Sequence, residues 1–343
     1  MEMRLRNALV RRVCARNRCV SERFGRRFHG QSVQETLAQV RERLQRSGVH
    51  GSDAKALIAH ALTPKLASSN DVFLHSDRLL TAQEGEELTA FLDRRCSGEP
   101  LAYVLGYKEF WSLPFQVNRD TLIPRSDSEV LIEAVASLYP RDAPLKVLDL
   151  GAGTGCLLLS TLSEFPRATG VGVDICPNAL QVASANAAAL LDDSNRATFV
   201  RFDMADLPKD DTALVNNHLI QRFDVILCNP PYIPQSELPL VAPDVFAYEP
   251  HSALFSEVPQ GQVSSPEDPK KDLGLRFYEY LAASVSRLLR NDGAFQGSVV
   301  LEIGSERQAH AVRDLFPPNV VSFDRFLMDA AGKYRGVVFR SAH

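Results

Sequence analysis

Short apolar runs alternate with amphipathic segments along residues 145–340. The runs predict strands at 145–150, 169–174, 197–202, 223–228, 298–303, 319–326 and 334–340. Segments with helical periodicity lie near 155–165, 177–190, 274–290 and 305–315. Alternation of strand and helix predicts a parallel sheet with both faces covered. The last two strands, joined across Gly332, predict an antiparallel hairpin at the end of a seven-stranded sheet, so the fold class is α/β.

Residues 31–98 have the pattern of a small helical domain. Capping-box sequences at Ser32–Glu35 and Thr81–Glu84 each start a helix, and Asp53 starts a shorter one. This segment has no evident group of catalytic side chains, so we predict that it recognises a partner. The aromatic, β-prone stretch 99–123 predicts a hairpin linker to an α/β domain at 124–343. Within that domain the polar, proline-containing stretch 256–272 predicts a flexible insertion.

Charge is distributed unevenly along the chain. Of 38 basic and 42 acidic residues, nine arginines and two acids lie in residues 1–30, so the remainder has a net charge of −11. An Arg-rich, acid-poor start predicts a transit peptide and a mitochondrial matrix location, with a cytoplasmic protein that has a basic tail as the alternative. The acidic remainder makes direct nucleic-acid binding unfavourable. No apolar run reaches the roughly 18 residues of a membrane span, so we predict no contact with a membrane. We also expect the protein to be a monomer.

The six cysteines form no C-x-x-C pair and no histidine cluster accompanies them. We therefore predict neither a metal site nor a disulfide framework.

A glycine-rich turn follows the first predicted strand and precedes an apolar helix. Its residues form the cofactor-loop candidate Gly151, Ala152, Gly153, Thr154 and Gly155. Glycine allows the backbone to approach a ligand closely. Asp174 ends the next strand, where a ribose-hydroxyl acceptor belongs in a nucleotide-binding fold. The turn therefore predicts a nucleotide cofactor, which is either NAD or S-adenosylmethionine.

Two features favour S-adenosylmethionine over NAD. The glycine spacing is G-x-G-x-G rather than G-x-G-x-x-G, and Asp149 immediately precedes the loop. The Asp149 carboxylate would repel a pyrophosphate but suits an ammonium group. Asp203 and Met204 follow the third strand, where they would bind the amino group and the face of the adenine.

The fourth strand ends in Asn229-Pro230-Pro231-Tyr232 at the same predicted edge of the sheet. Two prolines make the loop rigid. The Asn229 amide oxygen and the Pro230 carbonyl are acceptors for the two hydrogens of a planar amino group, and Tyr232 can pack on its face. The motif therefore predicts methyl transfer to a nitrogen conjugated with a π system, either an amide or the exocyclic amine of a base.

Taken with other motifs, these residues resemble the HemK-type release factor N5-glutamine methyltransferases. The resemblance rests on Gly98–Gly106, Phe110, Leu122–Arg125, Asp149–Gly155, Asn229–Pro234 and Tyr248–Pro250. It implies a class I methyltransferase sheet with an N-terminal helical domain that helps to hold the substrate. It also implies methylation of the glutamine in the Gly-Gly-Gln loop of a peptide chain release factor, as in translation termination.

Carried over to this chain, the resemblance gives roles to single residues. The cofactor would contact residues 151–155, Asp174, Asp203, Met204 and Asn229. Asn229, Pro230 and Tyr232 would be catalytic, and Asn229 to Tyr232 with Phe110 would bind the glutamine.

Three other functions stay open. At position 126 this chain has serine, where the release factor family has proline. In that respect the chain resembles the glutamine methyltransferases that act on a ribosomal protein. N-P-P-Y is shared with DNA adenine methyltransferases, and a non-enzymatic assembly module could retain the same fold.

Overall fold

The computed structural model describes residues 28–66, 68–207, 211–217, 219–220, 223–256, 273–290 and 295–342. Nearly all of the predicted transit peptide and all but the first residue of the predicted insertion 256–272 lie outside the described residues. The chain divides into two compact units. The first runs to Gly106 and includes Ala242–Tyr248, and the second contains Tyr107–Val241 and Glu249–His343.

The first unit is helical, with α1 (Val33–Arg46), α2 (Asp53–Ala61), a 3₁₀ helix (Ser69–His75), α3 (Ala82–Cys96) and α4 (Leu101–Leu105). Both predicted capping boxes are confirmed. Before α1, the Ser32 hydroxyl accepts from the Glu35 amide, and the Glu35 carboxylate accepts from the Ser32 amide at 3.0 Å. Such reciprocal bonds satisfy two amides that a helix start leaves unpaired. The unit has its own core, which includes Val40, Leu44, Leu57, Leu88 and Leu92.

The hairpin predicted over 99–123 is shorter in the structure. It consists of β1 (Tyr107–Phe110) and β2 (Leu113–Gln116), whereas residues 101–105 form the helix α4. Pro100 precedes the first turn of α4, and Gly106 ends it with a left-handed φ of 80°. The Arg94 guanidinium also donates to the Tyr103 carbonyl at 2.8 Å. These terminal and tertiary contacts outweigh the β-propensity of the segment.

The second unit contains a seven-stranded sheet. Its strands are β3 (Lys146–Leu150), β4 (Thr169–Asp174), β5 (Ala197–Arg201), β6 (Val225–Cys228), β7 (Ser298–Glu302), β8 (Val321–Met328) and β9 (Tyr334–Ser341). The order across the sheet is β5-β4-β3-β6-β7-β9-β8. Strands β3 to β7 pair in parallel, and β9 runs antiparallel to both β7 and β8. This is a class I methyltransferase sheet, as the sequence predicted.

The helices of the second unit are α5 (Glu129–Leu138), α6 (Cys156–Glu164), α7 (Pro177–Leu190), α8 (Asp211–Asn216), α10 (Arg276–Ala282), α11 (Val285–Leu288) and α12 (Glu306–Leu315). Helix α9 (Pro243–Tyr248) lies within the first unit. Sequence analysis missed α5, α8 and α9. The single helix predicted over 274–290 was wrong, because the chain leaves helical geometry at Ser284, where φ is −121°.

Helix α5 buries Leu131, Ile132 and Val135 in a core that also contains residues from β3, β6, β7 and β9. Tyr139, directly after α5, donates to the Gln296 carbonyl at 2.8 Å. Among the described residues, no helix is long and apolar enough to cross a membrane. In the same part of the chain, no group of three or more His, Cys, Asp or Glu side chains is arranged to hold a metal ion.

Candidate active site

A pocket of about 1090 Å³ lies in the second unit, lined by the loops that follow β3, β4, β5 and β6. Carboxyl ends of adjacent parallel strands meet at one edge of a sheet, which is where ligands bind in open α/β folds. The pocket brings together most of the predicted site residues: Gly151, Ala152, Gly153, Thr154, Asp174, Asp203, Met204, Asn229 and Pro231. The segment Asp120–Ser128 and helix α10 contribute further wall residues.

The glycine loop has the geometry that a close backbone approach requires. Gly151 and Gly153 have φ values of 81° and 53°, which favour glycine. A Cβ added at Gly151 would lie 3.8 Å from the Asn229 carbonyl oxygen, so the glycine loop and the Asn229 loop are neighbours.

Gly155 does not line the pocket. A Cβ added there would lie 3.2 Å from the Leu159 side chain and 3.2 Å from the Phe199 ring. Gly155, with φ of 79°, therefore permits close packing at the start of α6 rather than contact with a ligand.

Asp174 orders the rim of the pocket. One carboxylate oxygen accepts from the Gly153 amide at 2.9 Å, and the other accepts from the Cys176 amide at 2.9 Å. Burial raises the pKa of this carboxyl, while the backbone amides of Cys176 and Gly153 lower it. Asp174 thus holds the glycine loop and remains in the pocket wall, where its oxygens have lone pairs left for a ribose hydroxyl.

Asp149 is a residue of β3 whose carboxylate reaches the first turn of α6, and it does not line the pocket. It is 1% exposed, and its Oδ2 accepts from the Leu158 amide at 3.2 Å. Its Oδ1 has no hydrogen-bond partner among the described residues. Burial and, to a smaller extent, the nearby Asp174 raise the pKa of this carboxyl to about 7, against the lowering effect of the Leu158 amide. A buried acid with an unused oxygen behind a nucleotide loop fits a role beside a cationic ligand.

The adenine side of the predicted pocket has a wall that sequence analysis missed. Asp203 accepts from the Ala205 amide at 2.8 Å, and Met204 is almost fully buried. Helix α10 adds Phe277 and Tyr280 to the same pocket, with ring centroids 6.0 Å apart. These two aromatic rings can supply the stacking surface that a methionine at position 204 does not. The only sequence signal was an i, i+3 aromatic pair, which is also common in helix cores.

The Asn229–Tyr232 loop presents only part of itself to the pocket. Asn229 and Pro231 line it, whereas Pro230 and Tyr232 do not. The Asn229 Nδ2 donates to the Ser128 hydroxyl at 3.5 Å. The Tyr232 hydroxyl donates to Glu302 at 3.3 Å, and burial raises the pKa of this phenol.

The assignment of Phe110 to substrate binding was wrong. Its side chain is 1% exposed and packs against the Phe115 ring of the same hairpin, with centroids 6.1 Å apart. Both rings belong to the core that contains Leu131 and Val135 of α5. An aromatic residue on the inner face of a short hairpin is buried for packing, so it is not available to a ligand.

An ion pair at the pocket edge, between the partly exposed Arg125 and the buried Glu249, was also missed. Arg125, in the pocket wall, donates to Glu249 at 2.6 Å, and Glu249 accepts from the Ile123 amide at 3.1 Å. Glu249 is 2% exposed, and its two hydrogen bonds hold the 123–125 segment in place.

Glu302 was missed as well. Its signal was an acid at the end of the apolar run that forms β7, the position that Asp174 occupies in β4.

The sheet and this pocket define a class I methyltransferase fold, for which S-adenosylmethionine is the expected cofactor. Two features of the site fit that cofactor. The glycine loop leaves open space beside Gly153, and the Asp149 Oδ1 has no hydrogen-bond partner among the described residues. Residues 35–106 match the PrmC N-terminal domain, and residues 141–304 match a methyltransferase domain.

Similarity to three relatives narrows the family to which the chain belongs. It is 31% identical over 315 residues to the release factor glutamine methyltransferase of Agrobacterium fabrum, which covers 90% of this chain and 97% of that one. It is 41% identical over 184 residues to the release factor glutamine methyltransferase of Koribacter versatilis, over 54% of this chain and 61% of that one. A bifunctional methyltransferase of Rickettsia felis is 30% identical over 338 residues, which is 90% of this chain and 58% of that one. The chain belongs to the release factor glutamine methyltransferase family. It spans less than two thirds of the length of the last two relatives.

The buried Asp149 predicts a pH-dependent stability of the cofactor-free protein. Because its folded pKa is about 7 and its ordinary value is 3.8, the folded protein keeps a proton that the unfolded chain has lost. The stabilisation from this group is present in full below the ordinary pKa and is lost as pH rises towards 7. Between about pH 4.5 and 6.5 we expect the free energy of unfolding to fall by about 1.4 kcal/mol per pH unit relative to Asp149→Asn.

Urea unfolding of the two proteins without cofactor measures this difference. Asp142→Asn, at an exposed carboxyl, should follow the wild type at every pH. Parallel curves for the wild type and Asp149→Asn would show that Asp149 ionises normally.

Proposed function

We propose that this protein transfers a methyl group from S-adenosylmethionine to the side-chain nitrogen of the glutamine in the Gly-Gly-Gln loop of a peptide chain release factor. The observation that carries the proposal is the position of Asn229 in the pocket wall beside the glycine loop. Family membership supports the same substrate. The PrmC-type first unit would help to hold the release factor.

The cofactor supplies an electrophilic methyl carbon on a sulfonium sulfur. An amide nitrogen is a weak nucleophile because its lone pair is delocalised. The Asn229 Oδ1 and the Pro230 carbonyl would accept hydrogen bonds from the glutamine –NH2 and orient it for attack. As the nitrogen–carbon bond forms and the carbon–sulfur bond breaks, positive charge develops on the nitrogen. These two acceptors stabilise that charge, and one N–H proton leaves to solvent.

A second candidate is methylation of a glutamine in a large-subunit ribosomal protein. The observation that favours it is Ser126 in the Pro124-Arg125-Ser126 segment, which reaches the pocket wall through its neighbours Pro124 and Arg125. The chemistry at Asn229 is the same for both substrates, so the choice between them depends on which protein surface is bound. N6-adenine methylation of nucleic acid is less well supported, since the net charge of −4 repels phosphate.

The test is mass spectrometry of a Gly-Gly-Gln release factor and of the ribosomal protein, each incubated with this protein and S-adenosylmethionine. We expect a gain of one methyl group on the Gly-Gly-Gln glutamine alone. Methylation of the ribosomal protein alone would favour the second candidate. No methylation of either, with cofactor binding intact, would contradict the proposed chemistry.

Asn229→Ala should lower turnover far more than cofactor affinity. The change removes one of two acceptors for the developing charge, a loss of about 10²–10³ in kcat for a group of this kind. Single-turnover kinetics and calorimetry with S-adenosylhomocysteine separate the two effects. Asn195→Ala, at an exposed asparagine in the same unit, should behave as the wild type. Equal losses of kcat and cofactor affinity in Asn229→Ala would make Asn229 a cofactor ligand only.

We also propose that the protein works as a monomer in the mitochondrial matrix, with no direct contact to nucleic acid or membrane. The support is the arginine-rich composition of residues 1–30 and the acidic remainder. Full-length protein with a fluorescent tag at its C-terminus should enter mitochondria, and a variant with the nine arginines replaced by glutamine should not. A cytosolic wild type would reject the matrix location.

A further inference from the structure

One polar residue lies on the buried face of helix α7. The other buried residues of that face are Ala179, Leu180, Ala183 and Ala187. Asn186 lies among them and is 0% exposed. Burial of an amide side chain is unfavourable unless its hydrogen bonds are made inside the protein. The function proposed above gives Asn186 no part, so its bonds call for an explanation.

The Asn186 amide makes three hydrogen bonds, which use both of its donors. Its Nδ2 donates to the Thr154 carbonyl at 2.9 Å and to the Gln116 carbonyl at 3.1 Å. Its Oδ1 accepts from the Gln116 amide at 2.8 Å. A reversed amide would place its oxygen against two carbonyl oxygens, so the orientation of the side chain is fixed. Asn186 thus joins the glycine loop to the last residue of β2.

The two partners of Asn186 lead to two different walls of the pocket. Thr154 is 2% exposed and lines the pocket as part of the glycine loop. Gln116 does not line the pocket, but the chain continues from it into the Asp120–Ser128 wall. The path is short and ordered, because the Asp120 amide donates to the Asn118 Oδ1 at 2.9 Å. A displacement of Gln116 would therefore move this wall relative to the glycine loop.

The hairpin that ends at Gln116 is also held at its tip. The Trp111 amide donates to Glu129 at the start of α5 at 2.9 Å, and the Trp111 Nε1 donates to Glu164 at the end of α6 at 2.8 Å. These bonds hold Trp111 at a φ of 52°, which is unfavourable for a bulky residue. The hairpin is thus bound to helices at one end and, through Asn186, to the glycine loop at the other.

We propose that Asn186 is a positioning residue for the cofactor site, which sets the distance between the glycine loop and the Asp120–Ser128 wall through its bonds to Thr154 and Gln116. A link of this kind keeps the pocket at the width of its ligand before binding, so the ligand does not have to order the walls. The inference rests on the part of the proposed function that makes S-adenosylmethionine the ligand, and not on which protein is methylated.

Asn186→Asp tests the proposal, because it keeps the shape of the side chain and its acceptor but removes both donors. The Thr154 and Gln116 carbonyls would then face a carboxylate, and the two walls should separate. We expect the dissociation constant of S-adenosylhomocysteine to rise about tenfold or more, a loss of the size that unsatisfied buried groups cause. Calorimetry at a temperature at which the variant remains folded measures this constant.

Tyr139→Phe is the matched control for a loss of stability alone. Tyr139 is 6% exposed, its hydroxyl donates to the Gln296 carbonyl at 2.8 Å in the same unit, and it does not line the pocket. This change should lower the free energy of unfolding but leave the dissociation constant within about twofold of the wild-type value. Equal weakening of cofactor binding in Tyr139→Phe and Asn186→Asp would show that Asn186 acts only through stability, which would overturn the proposal.

Two further measurements decide the matter if Asn186→Asp does not fold. Asn186→Ala leaves room for a water that can pair with the carbonyls but cannot hold them at a fixed distance, so its dissociation constant should also rise. In the wild type, S-adenosylhomocysteine should slow hydrogen exchange of the Gln116 amide, followed by NMR, and leave the Lys333 amide in the β8–β9 turn unchanged. Wild-type affinity in a folded Asn186 variant, or unchanged Gln116 exchange, would overturn the proposal.

These readouts need no methyl acceptor, so the inference and the proposed function can fail separately. The expected Asn186 effects in a protein that methylates neither the release factor nor the ribosomal protein would keep the positioning role and reject only the substrate. Methylation of the Gly-Gly-Gln glutamine together with unchanged cofactor affinity in the Asn186 variants would keep the proposed function and reject the positioning role.

Discussion

The parallel pairing of β3 with β6 is the constraint on which the site depends. Leu150 of β3 lies opposite Cys228 of β6 in the register. The next residues, Gly151 and Asn229, therefore leave the sheet side by side, and their loops come into near contact. A shift of one residue would move every side chain of a strand to the other face. The distance between the glycine loop and the Asn229 loop is thus set by the backbone hydrogen bonds that pair β3 with β6 in the middle of the sheet.

Two buried acids, on the strands that lie on either side of β6, are the second feature of this edge. Asp149 is the next-to-last residue of β3 and Glu302 is the last residue of β7, and burial raises the pKa of each carboxyl to about 7. Each has one carboxylate oxygen without a hydrogen-bond partner among the described residues. Such groups lower stability, and they are found where a site needs an acceptor or a negative charge that water cannot screen. In this protein one acid lies behind the cofactor loop and the other behind the Asn229 loop.

Rigidity at the Asn229 loop comes from several levels of structure. Pro230 and Pro231 restrict the backbone locally. The Tyr232 ring also packs directly against the Gly304 backbone, and the Gln308 side chain donates to the Tyr232 carbonyl at 3.2 Å. The proposed amide methylation would place a weak nucleophile against a single carbon atom, so a loop that moved by an ångström would lose most of the rate. The prolines were visible in the sequence, whereas these contacts were not, because Gln308 lies 76 positions after Tyr232 in the chain.

Local patterns in the sequence were enough to predict the sheet, both capping boxes, the glycine loop and the Asn229 motif. Each depends on neighbouring residues, through strand periodicity, helix-end hydrogen bonds or glycine conformation. Tertiary packing decided what those patterns could not. It buried Phe110 in a core and moved Gly155 out of the pocket wall. It also brought Phe277, Tyr280, Arg125 and Glu302 to the site from distant segments. Side chains assembled by long-range packing carry no local period or motif, so their role in the site follows only from the folded chain.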